Sequence, residues 1–406
     1  MRRPKDPRAV VSALLSPWAL ALLAACSPRP EGATDEPPGD AAVAAARSAQ
    51  PPHNAQPLAE SAAESAESAP AEPEPTLAKI AEPEPTKAAE PEPGPYDPLP
   101  PEAYERFANI PRDPKPDELI RNSHYWISNE KNQQLWHEYV VDKGGAYLGV
   151  GTDQNYMLAG WAHSDLIVVV DFDIYIVDLH RVYALFFKEA ETFEDFLLRW
   201  SPDREEEGLA LIDERYAERP DYTRVRKSYK IARQLVWARL RNVRKAYEKR
   251  GIPTFVSDQE QYDHIRTLAR NGRIFAVRGD FTANETMVAV RKAMEDSGQD
   301  FHVIYLSNVE QYIDYTPEFR RNLGLLPVSD DGVIVRTLGW GAFGFAPEEE
   351  YHYNVQPLPK FTEWLQKSRV KNLPNMLYFR TRTDVEGLSL LDGNVKVSKR
   401  PPTIAE

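Results

Sequence analysis

Cysteine is almost missing from this chain. Cys26 is the sole cysteine in 406 residues, so no disulfide can form within the chain and the folded part must be held by its core alone. The apolar run Ala9–Leu23 falls short of the ~20 residues that a helix needs to cross a bilayer. Aromatic residues are absent between Ser27 and Pro95, which excludes a packed core there. Several catalytic signatures are missing too: a Ser-His-Asp order, a nucleophile elbow, a Walker loop and His-Glu-x-x-His. Hydrolase, kinase and zinc-enzyme readings are left without a motif. The pair Gly149-x-Gly151 is not completed to G-x-G-x-x-G, because position 154 is Gln, and this disfavours a dinucleotide.

What is present begins with a basic start, MRRPKDPR, followed by the short apolar run. Together they read as a secretory signal over residues 1–25. The run ends at Leu23-Ala24-Ala25-Cys26, which resembles a lipobox. That resemblance implies cleavage before Cys26 and diacylation of its thiol, with the protein held on the membrane through it. Ser27 follows where an Asp would retain a Gram-negative lipoprotein at the inner membrane, so the expected location is the outer membrane. Residues 26–95 are Ala, Pro, Glu and Ser, with AEPEPT at 71–76 and 81–86 and AEPEP at 89–93. Such a segment cannot bury enough apolar area to offset its ordering entropy, and reads as an extended acidic tether. It carries part of the formal net charge of −13, which therefore says little about the globular surface.

From Tyr96 aromatics appear and persist, and residues 96–406 are long enough for a large core. Residues 102–143 read as helical, with Trp126, Trp136 and Tyr139 among the apolar positions. Strand-like runs then recur at Ala146–Val150, Leu166–Asp171, Arg273–Arg278, Phe301–Leu306 and Gly332–Leu338. The second is almost continuously apolar, as a strand buried on both faces requires. A helix-length stretch, Asn284–Ser297, separates two of them. Alternation of this kind predicts an α/β, Rossmann-like, mostly parallel sheet with right-handed crossovers. Tyr351–Leu358 and Asn375–Arg380 read as an antiparallel edge pair.

The interval of about 174–272 is too long for one crossover and reads as a helical insertion. In it, Tyr222–Arg250 places Tyr229, Ala232, Val236, Leu240, Val243 and Tyr247 on one helix face. The other faces are rich in Arg and Lys. One reading is a solvated helix facing the acidic stretch Asp203–Glu214; the other is a surface for an anionic envelope component such as lipid headgroups. No nucleic-acid motif accompanies the charge, so no nucleic acid is expected as a partner.

The candidate binding residues gather at strand ends. Gly149 and Gly151 follow the first strand, where glycine allows a sharp turn and close approach of a ligand. Asp171 ends the second strand, where an acid commonly accepts ribose hydroxyls. Asp173 and Asp178 nearby make a weak metal cluster at best. Asp280 follows the third strand, where an acid often meets an adenine ring, and Phe281 beside it can pack on that ring or on the core. Ser307 and Asn308 end the fourth. In open parallel sheets ligands lie outside the carboxyl ends of the strands, so these residues converge on one pocket. His180, alone on the helix after Asp171, reads as a packed residue rather than a base.

Three stretches, GVGTDQN (149–155), VVDFDIYIVDLHRVYALF (169–186) and YLSNVEQY (305–312), resemble an uncharacterised bacterial family with a class I methyltransferase-like fold. The family's patterns are GVGPEQN, IVDIRRxNLxxH and YLSNxExY, and the resemblance covers roughly residues 100–345. It matches Gly149, Gly151, Gln154 and Asn155 to the first loop, Asp171 to the acid and His180 to the later histidine. Ser307, Asn308 and Glu310 match the fourth-strand motif. It implies a sheet of the class I methyltransferase type and S-adenosylmethionine as cofactor, with methyl transfer to an unknown acceptor. The alternative is a catalytically inactive binding module of the cell envelope built on the same fold. Asp173 and Ile174 stand where the family pattern has two arginines. Beside Asp171, a second carboxylate is expected to turn that pocket edge toward neutral, hydroxyl-bearing or cationic groups.

Overall fold

Five of the β-branched and aromatic runs pair side by side. The computed structural model describes residues 94–120 and 123–393. The signal segment, Cys26 and nearly all of the tether lie outside the described residues. The strands are β1 (Ala146–Gly149), β2 (Leu166–Asp171), β3 (Ile274–Arg278), β4 (Phe301–Ser307), β5 (Val328–Leu338), β6 (His352–Pro357), β7 (Thr381–Arg382) and β8 (Leu388–Leu390). They form one eight-stranded sheet in the order β3-β2-β1-β4-β5-β6-β8-β7. The pairs from β3 through β5 are all parallel. β6 runs antiparallel to β5, β8 parallel to β6, and β7 antiparallel to β8.

Twelve α-helices accompany the sheet among the described residues. α1 (Pro101–Ala108) and α2 (His137–Val140) precede β1, and α3 (Gln154–Trp161) joins β1 to β2. Five helices separate β2 from β3: α4 (Ile174–Glu189), α5 (Phe193–Leu198), α6 (Glu205–Tyr216), α7 (Tyr222–Glu248) and α8 (Gln259–Arg270). α9 (Thr286–Asp296) leads to β4 and α10 (Pro317–Gly324) to β5, while α11 (Leu358–Leu365) and α12 (Leu373–Leu377) follow β6. This is an α/β, Rossmann-like architecture.

The core explains the pattern. Every residue of β2 from Leu166 to Val170 is fully buried, because helices cover the sheet and leave no polar face. In α7, Tyr229, Ala232, Val236 and Leu240 are fully buried at the predicted spacing, each larger side chain contributing about 1.5–3 kcal/mol. Its arginines are largely engaged. Arg226 pairs with Asp213 at 3.0 Å, Arg233 with Glu205 at 2.7 Å and Arg239 with Asp153 at 2.9 Å, while Arg224 reaches the buried Asp178.

Two segments depart from expectation. Among the described residues, α-helix over 102–143 is confined to α1 and α2, with a 3₁₀ turn at Gln133–Trp136. Pro111, Pro114 and Pro116 break the pattern, since each lacks an N–H and pushes the preceding residue to extended backbone. The non-helical stretch is pinned from afar: buried Asp113 accepts the backbone N–H groups of Asp280 at 3.0 Å and Glu285 at 3.0 Å, ahead of α9. At the other end of the sheet, β6 lies inside it against β5, and Asn375–Arg380 falls in α12 and the turn after it. Asn372 caps that helix, accepting from Asn375 N at 3.1 Å, with Pro374 in its first turn. The capping residue and the proline outweigh the apolar run in this segment.

Candidate functional site

The strand order reverses between β1 and β4, and the chain connections part there. A cavity of about 780 Å³ opens beyond the carboxyl ends of these strands, within the ordinary range for small-molecule sites. Of the sequence candidates, Gly151, Gln154, Asp171, Asp280, Ser307 and Asn308 line it. Gly149 and Asn155 do not.

The reason for those two is local packing. A Cβ on Gly149 would lie 2.0 Å from Asn155 Oδ1 and 2.6 Å from the Tyr147 ring, so the glycine makes room for the protein's own side chains. Asn155 is fully buried; its Nδ2 donates to Val150 O and Thr152 O, both at 2.9 Å, and its Oδ1 accepts from Tyr147 Oη at 3.0 Å. Gln154 is used similarly, donating to Val150 O at 3.1 Å and accepting from Thr152 N at 3.2 Å. Gly151 is different: at φ +74° it needs glycine for its backbone. His180 buttresses this loop from α4. Its Nε2 donates to Gly151 O at 2.7 Å, which fixes the tautomer in which Nδ1 accepts from Tyr156 Oη at 2.7 Å. Burial lowers its pKa to about 4, so it is a neutral packing residue at physiological pH.

Asp171 holds the same loop from β2. Its Oδ2 accepts from Gly151 N at 3.1 Å and its Oδ1 from Asp173 N at 2.8 Å, leaving a lone pair on each oxygen for a ligand. Burial, aided by the nearby Asp173 charge, raises its pKa to about 7. Asp173 itself is turned away from the cavity. It caps α4, accepting from Tyr175 N at 3.0 Å, and its other oxygen contacts His124 Nδ1 at 2.6 Å. Asp173 therefore does not set the pocket edge as its place in the sequence suggested. Nor do Asp171, Asp173 and Asp178 form a cluster, because Asp178 is taken by Arg181 and Arg224.

Asp280 is exposed at the cavity wall and accepts Thr282 N and Thr282 Oγ1 on Oδ1, both at 2.7 Å. Phe281 beside it is buried and lines the same wall, with Phe172. Ser307 sits at φ +49°, a strained backbone for a residue with a Cβ, and donates Oγ–H to Glu130 Oε1 at 2.9 Å.

Glu130 is a residue that no sequence motif announced. It is fully buried behind Ser307. Its carboxylate accepts Tyr305 Oη at 2.7 Å, Thr337 Oγ1 at 2.7 Å and Gln133 Nε2 at 3.3 Å besides Ser307. Burial raises its pKa against the pull of these donors. Tyr351 was missed as well. Its hydroxyl oxygen accepts from Asn129 Nδ2 at 2.7 Å and Asn308 Nδ2 at 3.4 Å, so its own proton is available to a ligand. The lining charges are lopsided: Glu118, Asp171, Asp280, Glu348, Glu349 and Glu350 against Lys131 alone. The Lys131 ammonium donates to Glu348 O at 2.9 Å.

Among the described residues no helix is long and apolar enough to cross a membrane. No curated protein matches the chain. Among solved structures, an rRNA methyltransferase, aviRa from Streptomyces viridochromogenes, aligns at 14% identity over 54% of this chain and 78% of that one, with a TM-score of 0.24. A family model described as a domain of unknown function, DUF7790, matches residues 125–392, from the strap that carries Glu130 to the last strand; the chain belongs to that family.

Proposed function

We propose that the cavity binds S-adenosylmethionine and serves methyl transfer to an acceptor lying beyond Ser307 and Asn308. The observation that carries this reading is the cavity's charge. Six carboxylates line it against one lysine, which opposes a phosphorylated cofactor and favours a ligand bearing a sulfonium and an ammonium group. The residues present fit such a group. Asp171 has lone pairs left for ribose hydroxyls, Asp280 Oδ2 is open to an exocyclic amine, and Phe172 and Phe281 offer apolar contact to a purine. Gly151 lets the ligand approach the backbone closely. Bound there, S-adenosylmethionine supplies an activated methyl group. The protein's part is to orient it and to hold the acceptor near Ser307, whose hydroxyl Glu130 fixes.

The signal segment and Cys26 support export and lipid anchoring at the outer membrane, with the acidic tether spacing residues 96–406 from the bilayer. Lys230 and Lys245 of α7 and Lys249 at its end, which make no ion pair among the described residues, would face an anionic envelope component. Cys26→Ser should then move the protein out of the membrane fraction; unchanged sedimentation would reject the anchor. Because S-adenosylmethionine is made in the cytosol, a catalytically inactive envelope binding module is the second reading.

Calorimetry on the full chain separates the two. S-adenosylmethionine and S-adenosylhomocysteine should both bind, more tightly as pH rises through about 7 and Asp171 ionises. Asp171→Asn should weaken binding roughly tenfold or more, the equivalent of a lost charge-assisted hydrogen bond of about 1.5–3 kcal/mol. A folded chain that gives no heat with either ligand overturns the cofactor reading.

A further inference from the structure

Next to the main cavity lies a second cleft of about 440 Å³, and the two share Gln311, Tyr312, Ile313 and Gly339 in their walls. Its construction is unusual in two respects. First, two aromatic side chains stand open at it: Tyr312 is 42% and Trp340 40% exposed, although most large aromatics of this chain are buried. Second, Glu310, which also lines the cleft, is 2% exposed yet only half satisfied. Its Oε1 accepts from Arg336 Nη1 at 3.3 Å and from the Tyr315 hydroxyl. Its Oε2 is buried and has no hydrogen-bond partner among the described residues. A buried carboxylate oxygen left unpaired is costly unless something else meets it. Asp314, exposed and in no ion pair among the described residues, adds a carboxylate at the rim.

We propose that this cleft binds an organic ammonium group, an alkylated amine cation held against Tyr312 and Trp340 and drawn by Glu310 and Asp314. Aromatic faces attract cations through their quadrupole, most strongly tryptophan, and alkylated ammonium pairs best with them because it is weakly hydrated. A hard metal ion would instead need a shell of several oxygens, and no group of three or more His, Cys, Asp or Glu suited to a metal occurs among the described residues. Arg336 offsets the single charge of Glu310, which leaves Oε2 without a hydrogen-bond partner among the described residues and Asp314 as the unpaired charge of the cleft. The site adjoins the main cavity without depending on what that cavity binds.

The test titrates the full chain with choline, and with choline's uncharged isostere in which a tert-butyl group replaces trimethylammonium. Choline should bind at least tenfold more tightly than the isostere. Trp340→Ala should weaken it roughly tenfold, and Asp314→Asn should weaken it several-fold and flatten its salt dependence. Both variants alter exposed residues and leave the fold intact. Glu310→Gln should also weaken binding; if it does not fold, the two surface variants decide. No binding of choline to a folded chain, equal binding of the isostere, or unchanged affinity in Trp340→Ala would each overturn the site. S-adenosylmethionine is absent throughout, so the outcome is separate from that of the cofactor reading.

Discussion

The two walls of the main cavity are built differently. The wall made by β1, β2 and the loop between them is held mostly by short-range bonds, Asn155 to Val150, Gly151 to Asp171 and His180 to Gly151, with Arg239 reaching Asp153 from farther along the chain. The opposite wall is closed by bonds across great separations. Glu130 gathers Tyr305, Ser307 and Thr337, up to 207 residues away, and Asn129 reaches Tyr351 across 222. The near wall is a loop that folds on itself. The far wall exists only once β4, β5 and the segment before β1 have met. Its pieces form no local unit, so its integrity rests on one buried carboxylate satisfying several donors at once.

Removing that carboxylate is the severest way to break the comparison. Glu130→Ala should destabilise the fold by about 3–5 kcal/mol in urea denaturation, because it opens a cavity and leaves three hydroxyls on β4 and β5 without their acceptor. Glu130→Gln, close in shape, should cost less. A loss below about 1 kcal/mol for the alanine variant would mean that the far wall stands without it.

Asp171 tests the near wall through pH. In the folded chain its carboxyl keeps a proton up to about pH 7, whereas unfolded it is released near 4. Between these values the folded state holds more protons, so the stabilising contribution is full at acid pH and is lost as pH rises to about 7. Asp171→Asn removes the titration. Relative to the parent, the variant should gain stability between pH 4 and pH 8 by on the order of 2–4 kcal/mol, at about 1.4 kcal/mol per pH unit. A constant difference across that range would show that Asp171 is solvated. His180 acts in the opposite sense: neutral when folded down to about pH 4, it withdraws stability as pH falls from about 6.5.

Gly149→Ala should cost about 1–3 kcal/mol, since the new methyl meets Asn155 and Tyr147 at distances no side chain tolerates. It sharpens the distinction between a glycine kept for packing and Gly151, kept for its backbone angle. The smallest effect should come from Asp173→Ala, a lost helix cap worth about 1 kcal/mol. Thermal melts read both. Because Asp173 faces His124 and not the cavity, Asp173→Ala should leave affinity for any cavity ligand unchanged well above pH 7, where Asp171 is ionised with or without its neighbour's charge, which calorimetry can check.

The same contrast separates what the sequence by itself determined from what the tertiary structure decided. Strand and helix identity from Ala146 to Leu338 followed from the spacing of apolar residues, because a period of two or 3.6 states which face is covered. The parallel sheet followed from the alternation of strands and helices, and with it the gathering of Asp171, Asp280, Ser307 and Asn308 at the strands' carboxyl ends; that the order reverses between β1 and β4 was decided by the tertiary structure. Side-chain direction was not legible. Asp171 and Asp173 are two residues apart, but the first ends β2 and the second precedes α4, so one faces the cavity and the other caps the helix. The long-range partners were equally hidden. Nothing near Glu130 in the chain signals a buried carboxylate, because its donors come from β4 and β5, and periodicity carries no information about which distant hydroxyls will meet a given acid. Prolines at 111, 114 and 116 were visible and should have ended the helix over 102–143; their effect was to free the segment that delivers Glu130. Local physics, written in spacing and turn chemistry, determined the scaffold and the near wall. The far wall and its acidic, aromatic lining arose only from which segments the folded sheet placed side by side.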